Sequence, residues 1–123
     1  MRKKEEKKIK REWKDRIFNI IFAVLTLLIP ILFYRKIMVA TILLSLLAII
    51  GLIKWKSKLI LVIFFFGAIF GAIAEMVCVY FGVWNYTLTN FVNIPFWLFI
   101  VWGNAAAFIY QSALGFKKLG IKK

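Results

Sequence analysis

Five residues at helical spacing hold most of the chemistry this chain could do. Gly67, Gly71, Glu75, Cys78 and Gly82 follow one another at intervals of 4, 4, 3 and 4. A helix turning ~100° per residue places them on one narrow stripe. Glu75 is the only acidic residue beyond position 15, and it lies inside a run of apolar residues, 59–83, long enough to cross a bilayer. A carboxyl group in hydrocarbon is costly unless it is neutralised, paired or hydrated. The run offers no Lys or Arg to pair with it. Glu75 is therefore either a proton donor or carrier, or a strut hydrogen-bonded across a helix interface. Cys78, one turn away, has no base or cation beside it in sequence and reads as a small packing residue.

The partners expected for Glu75 lie on the next apolar segment. Trp97, Asn104 and Gln111 are spaced by seven and share a face, with Gly103 and the alanines at 105–107 keeping the surface small. Measured from the ends of their segments, Glu75 and Asn104 fall at similar depths, about 12–15 Å at ~1.5 Å per residue. That predicts a Glu75–Asn104 hydrogen bond. Tyr80, Tyr86, Trp97 and Trp102 would roof a cavity open toward the outer leaflet; with Trp84, Asn104 and Gln111 they are the candidate substrate-binding residues. Gly67, Gly71, Gly82 and Gly103 are expected to serve helix packing. The Gly67-x-x-x-Gly71 step admits a close helix neighbour, from the same chain or from a second copy in a homodimer.

The elements that must position these residues are four apolar segments, 17–34, 37–53, 59–83 and 94–114, each about the ~20 residues a membrane span needs. Their connections are short, so the first three should form antiparallel hairpins. The fold expected is all-α, an integral membrane antiparallel four-helix bundle over 17–116. It lies between a basic tail at 1–16 and another at 117–123. In the first tail Ile9, Trp13 and Ile17 recur every four residues, which suits an interfacial helix leading into the first span. Within that span Thr26 precedes Pro30 by four, where the missing N–H frees a backbone carbonyl. Asn93 is placed to cap the fourth helix, with Pro95 in its first turn.

Charge sets the orientation. Of the eighteen Lys and Arg, sixteen fall in the two tails and the 54–58 loop, which share one side. The positive-inside rule then puts both termini in the cytoplasm, in the plasma membrane or its equivalent. The net charge of +13 is thus a feature of topology, and membrane lipids rather than nucleic acid are the expected partners. With no His and one Cys, the chain lacks the residues for Ser/His/Asp or Cys/His catalysis and for a metal site; no metal and no cofactor are expected. Asn85-Tyr-Thr87 matches a glycosylation sequon but reads as a turn close to the membrane.

The spacing Glu75-x8-Trp84-x-Tyr86-x8-Pro95-x-Trp97, closed by Trp102-Gly103, resembles the Glu…Trp-x-Tyr…Pro arrangement of small polytopic carotenoid-biosynthesis proteins of the lycopene-cyclase-like family. The resemblance spans about 67–103. It implies a short multi-helix protein acting on polyene lipids, with a membrane carboxylate as the acid. The departure is after Pro95, where Phe96 and Trp97 stand in place of acidic residues. In size, helix number and lone buried Glu the chain is also similar to small multidrug-resistance transporters, which carry that Glu on the first helix. A separate family of small four-helix membrane proteins is the remaining home.

Three functions stay open on this reading. The chain holds a lipid-like or isoprenoid molecule near Glu75 in the outer half of the bilayer; or it is a proton-coupled transporter working as a dimer; or it is an assembly subunit of a larger membrane complex.

Overall fold

A computed structural model describes residues 2–120; Lys122 and Lys123 of the C-terminal basic tail lie outside them. The described chain is helical apart from its connections, with α1 at Arg2–Phe33, α2 at Ile37–Trp55, α3 at Lys58–Tyr80 and α4 at Trp97–Lys118. All four are long and apolar enough to cross a membrane. α1 runs without interruption from the basic tail through Pro30, so 2–16 and most of the first apolar segment form one rod. Thr26 donates its hydroxyl proton to the Phe22 carbonyl at 2.8 Å rather than serving the carbonyl that Pro30 frees.

α4 is the hub: it packs against α1, α2 and α3, whereas α2 and α3 scarcely meet. Consecutive hairpin partners were expected across the 54–58 loop, and the structure corrects this. The reason is residue size. Gly67 and Gly71 on α3 face Ala106 and Trp102 on α4, and Gly103 on α4 faces the Phe64 ring. A Cβ at Gly67 or Gly71 would overlap those neighbours. The small residues of α3 and α4 answer one another, so these two helices approach most closely. On the other side of α4, Ala40 and Leu44 of α2 join Ala72, Ile94, Trp97 and Leu98 in the buried core.

The ends of the helices follow local chemistry. Ser57 caps α3, its hydroxyl accepting from the Ile60 N–H at 3.3 Å. At the other end α3 stops at Tyr80, short of the expected 83. Gly82 takes φ +78°, the Val83 N–H bonds to the Cys78 carbonyl at 2.9 Å, and the Gly82 N–H bonds to the Val79 carbonyl at 3.1 Å. This is a Schellman cap, with glycine at the left-handed position that a Cβ disfavours. Gly82, expected to pack helices, therefore ends one; open space surrounds it. α4 begins at Trp97 rather than 94. Asn93, expected to cap it, instead donates its side-chain N–H to the Met76 carbonyl at 3.1 Å, and Asn90 accepts from the Phe96 N–H at 2.8 Å.

Candidate functional site

The reversal at Gly82 sends the chain back over the end of α3, and this builds the site. Trp84 and Tyr86 return onto Glu75, five residues before the helix ends. The Trp84 indole N–H donates to Glu75 Oε2 at 2.8 Å, and the Tyr86 hydroxyl donates to the same oxygen at 2.7 Å. From α4, the Trp102 indole N–H donates to Oε1 at 3.3 Å. Gly71 makes the third bond available: one turn before Glu75, it leaves room for the Trp102 ring against the α3 backbone. Three neutral donors therefore converge on one half-exposed carboxyl group, filling most of its acceptor positions. The cluster ties the connecting loop to α3 and α4 at once.

Tyr86 is the most perturbed member. Burial pushes its phenol well above its ordinary value of 10.0, and the hydrogen bond to Glu75 and that carboxylate's charge push it further in the same direction. The Trp84 contact acts weakly the other way.

Asn104 does not join Glu75, contrary to the expectation from depth. Its Nδ2 donates to Thr26 Oγ1 at 3.3 Å, so it faces α1. Two facts defeat the depth argument: α3 ends three residues early, which brings Glu75 nearer the loop, and the Asn104 face of α4 turns toward α1. Asn104 is 1% exposed and its Oδ1 has no partner. Thr26, which links the two helices and is itself buried, is a partner for Asn104 that sequence reasoning considered only in relation to Pro30. Gln111 is not at this end at all; it stands beside Arg16 and Lys54 at the opposite end of the helices. Tyr80 also stays outside the cluster, exposed and edge-on to Phe81. Gly103 packs as expected, against Phe64.

Trp97 takes a third position. It is buried under the loop, with Tyr86 edge-on at 6.2 Å between ring centroids. Together they line a groove of about 290 Å³ between the end of α1 and the loop, with Pro30, Ile31 and Tyr34 on one wall and Asn85, Thr87 and Leu88 on the other. The Trp97 indole N–H has no hydrogen-bond partner. Tyr86 thus has two faces of action: its ring lines the groove and its hydroxyl is bound to Glu75.

Among the described residues no three His, Cys, Asp or Glu side chains come together to hold a metal ion. The Gly67/Gly71 face is filled by α4 of the same chain, so a second copy would have to displace Trp102 and Ala106 to use it. No protein-family model, no curated protein and no solved structure matches the chain.

Proposed function

We propose that this is a small four-span integral membrane protein, an antiparallel bundle with both termini in the cytoplasm, that holds a lipid-like molecule in the outer half of the bilayer beside the Glu75 cluster. The observation that carries the reading is the groove lined by Tyr86 and Trp97. Its lining is mixed: Asn85, Thr87 and the Tyr34 hydroxyl are polar, and Pro30, Ile31 and Leu88 are apolar. An amphipathic occupant matches that mixed lining. Tyr86 passes the occupant's presence to Glu75 through a 2.7 Å hydrogen bond. Membrane residence is supported by the lateral surface, where large apolar side chains such as Leu27, Ile42, Phe66 and Ile109 are exposed. The orientation is supported by charge: residues 81–96 carry none, while the opposite end holds the basic tail and loop.

Native mass spectrometry of the protein released gently from its membrane tests the proposal. A discrete lipid or isoprenoid mass is expected on the wild type. Ile31→Trp, which fills the groove from an exposed position without touching Glu75, should remove that mass and leave the thermal midpoint unchanged. Equal retention by Ile31→Trp, or a wild type without any retained lipid, rejects the reading.

A further inference from the structure

The end of the helices away from Glu75 carries a second cluster with different chemistry. Arg16 reaches from α1 across to α4, where its guanidinium rests on Gly115; any Cβ at 115 would collide with it. Two of its nitrogens, Nε and Nη1, are covered and make no hydrogen bond. A guanidinium carries five N–H donors and no acceptor, so a covered one without a partner leaves its charge unanswered by the protein. A cavity of about 180 Å³ opens beside Arg16, bordered by Lys54 and Lys118 and by the amides of Asn19 and Gln111. Asp15, which also lines this cavity, pairs with Lys54 at 3.2 Å, and Glu12 stands four residues before Arg16 on α1. Asn19 is anchored by the Trp55 indole N–H, which donates to its Oδ1 at 3.2 Å. The arrangement brings three cations and one acid around a space large enough for a phosphate group, with Lys54 shared between Asp15 and the cavity.

We propose that this cavity is a phosphate-binding site, built from Arg16, Lys54 and Lys118 at the level where α1 passes from its basic tail into its apolar stretch. Arg16 supplies a planar set of donors to a phosphate oxygen. Lys54 and Lys118 close the positive field from α2 and α4, and the Asn19 and Gln111 amides offer neutral donors. Gly115 has a specific part, since its missing side chain lets the guanidinium lie between α1 and α4 instead of extending into solvent. The phosphate belongs either to the headgroup of an anionic membrane lipid or to a free phosphate. The position at the membrane boundary serves both, and the chemistry of capture is the same.

The experiment uses the full chain in nonionic detergent, where no charged lipid surface contributes. Native mass spectrometry with added phosphatidylglycerol or phosphatidylcholine reads lipid retention, and calorimetric titration reads inorganic phosphate. Wild type should hold one phosphatidylglycerol in preference to phosphatidylcholine, or bind one phosphate; the first result assigns a headgroup, the second a free anion. Arg16→Gln should lower the bound fraction about tenfold, the weight of a hydrogen bond to a charged group. Lys118→Gln removes an exposed charge from the end of α4 and should give a smaller loss of a few fold, keeping the test valid if Arg16→Gln folds poorly. The double variant Lys3→Gln/Lys4→Gln removes more charge from the distal tail and should leave binding unchanged. If that double variant loses as much as Arg16→Gln, the attraction is a general effect of the basic tail and the site is overturned. Absence of both lipid retention and phosphate binding in the wild type overturns it equally.

Discussion

The two ends of the helices treat an ionisable side chain in opposite ways. At the loop end, Glu75 is surrounded by three neutral donors, two indoles and a phenol, and no cation comes near it. At the end carrying the tails, Arg16 has covered nitrogens without a partner and lies among other cations. At the loop end the carboxyl group is satisfied within the chain and binds the connection to the helices, although the groove beside it keeps a Trp97 indole N–H without a partner. At the other end the guanidinium is not satisfied in this way. Satisfaction of hydrogen bonds, more than the presence of charge, separates the Glu75 clasp from the cluster around Arg16.

The strongest way to break the loop end is to remove the space Trp102 occupies. Gly71→Leu should force the Trp102 ring off α3, separate α3 from α4 and pull the third donor from Glu75, at a cost of about 3 kcal/mol. Reversible unfolding in mixed micelles measures the loss. Alkylation of Cys78, one turn from Glu75, should accelerate in the same variant because the loop end opens first. An unchanged alkylation rate would mean that the clasp holds without α4.

A smaller effect sharpens the comparison. Glu75→Gln keeps one acceptor oxygen but turns the other position into an N–H donor, which then faces the N–H or O–H of a neighbour. It should cost about 1–3 kcal/mol. Tyr86→Phe should cost about 1 kcal/mol, and the double variant less than the sum, because both changes delete the same bond. By contrast, Glu75→Gln and Trp55→Phe act at opposite ends and should add. The phenol gives a pH signature with a definite sign. A phenol raised in the folded state contributes stability that is complete below its ordinary value of 10.0 and is lost as the pH climbs above it. Tyr86→Phe should abolish that alkaline loss, and a variant that retained it would place the titrating group elsewhere.

Helix number and the apolar character of each element could be read from the sequence because they depend on length and composition alone. The Glu75 stripe could be read as well, since helical spacing fixes its direction, and its Gly67 and Gly71 do admit a close neighbour. The partners of Glu75 were harder to foresee. Trp84 and Tyr86 reach it only because Gly82 ends α3 early and reverses the chain, a matter of one residue's φ rather than of periodicity. A glycine at position 82, followed after Val83 by a polar, aromatic stretch, was the available signal. Asn104 failed for the complementary reason. Seven-residue spacing puts it on a face with Trp97 and Gln111, but which neighbour that face meets is decided by small residues on three other helices. Arg16 and Gly115 lie 99 positions apart in sequence, with no shared pattern, and only the packing of α1 on α4 connects them.

The smallest effect expected at the loop end concerns its turn. Phe91 and Ile94 face each other, with the Phe91 N–H bonded to the Ile94 carbonyl at 3.0 Å and the Ile94 N–H to the Phe91 carbonyl at 2.9 Å. Between them Val92 takes φ +53° and is 81% exposed. A β-branched residue is strained there, at a cost of roughly 1–2 kcal/mol, and so exposed a side chain gains little from contacts in return. Val92→Gly relieves the strain but frees the unfolded backbone, which offsets about 0.5–1 kcal/mol of the benefit. A net gain of a few tenths of a kcal/mol should remain, read most directly as slower hydrogen exchange at the Phe91 and Ile94 amides. If exchange instead accelerates, Val92 is held by its apolar neighbours on α3, Ile73 and Met76, which line the same shallow groove. The loop end would then be secured by packing as well as by the hydrogen bonds to Glu75, and its contrast with the cationic end would be deeper than charge satisfaction alone.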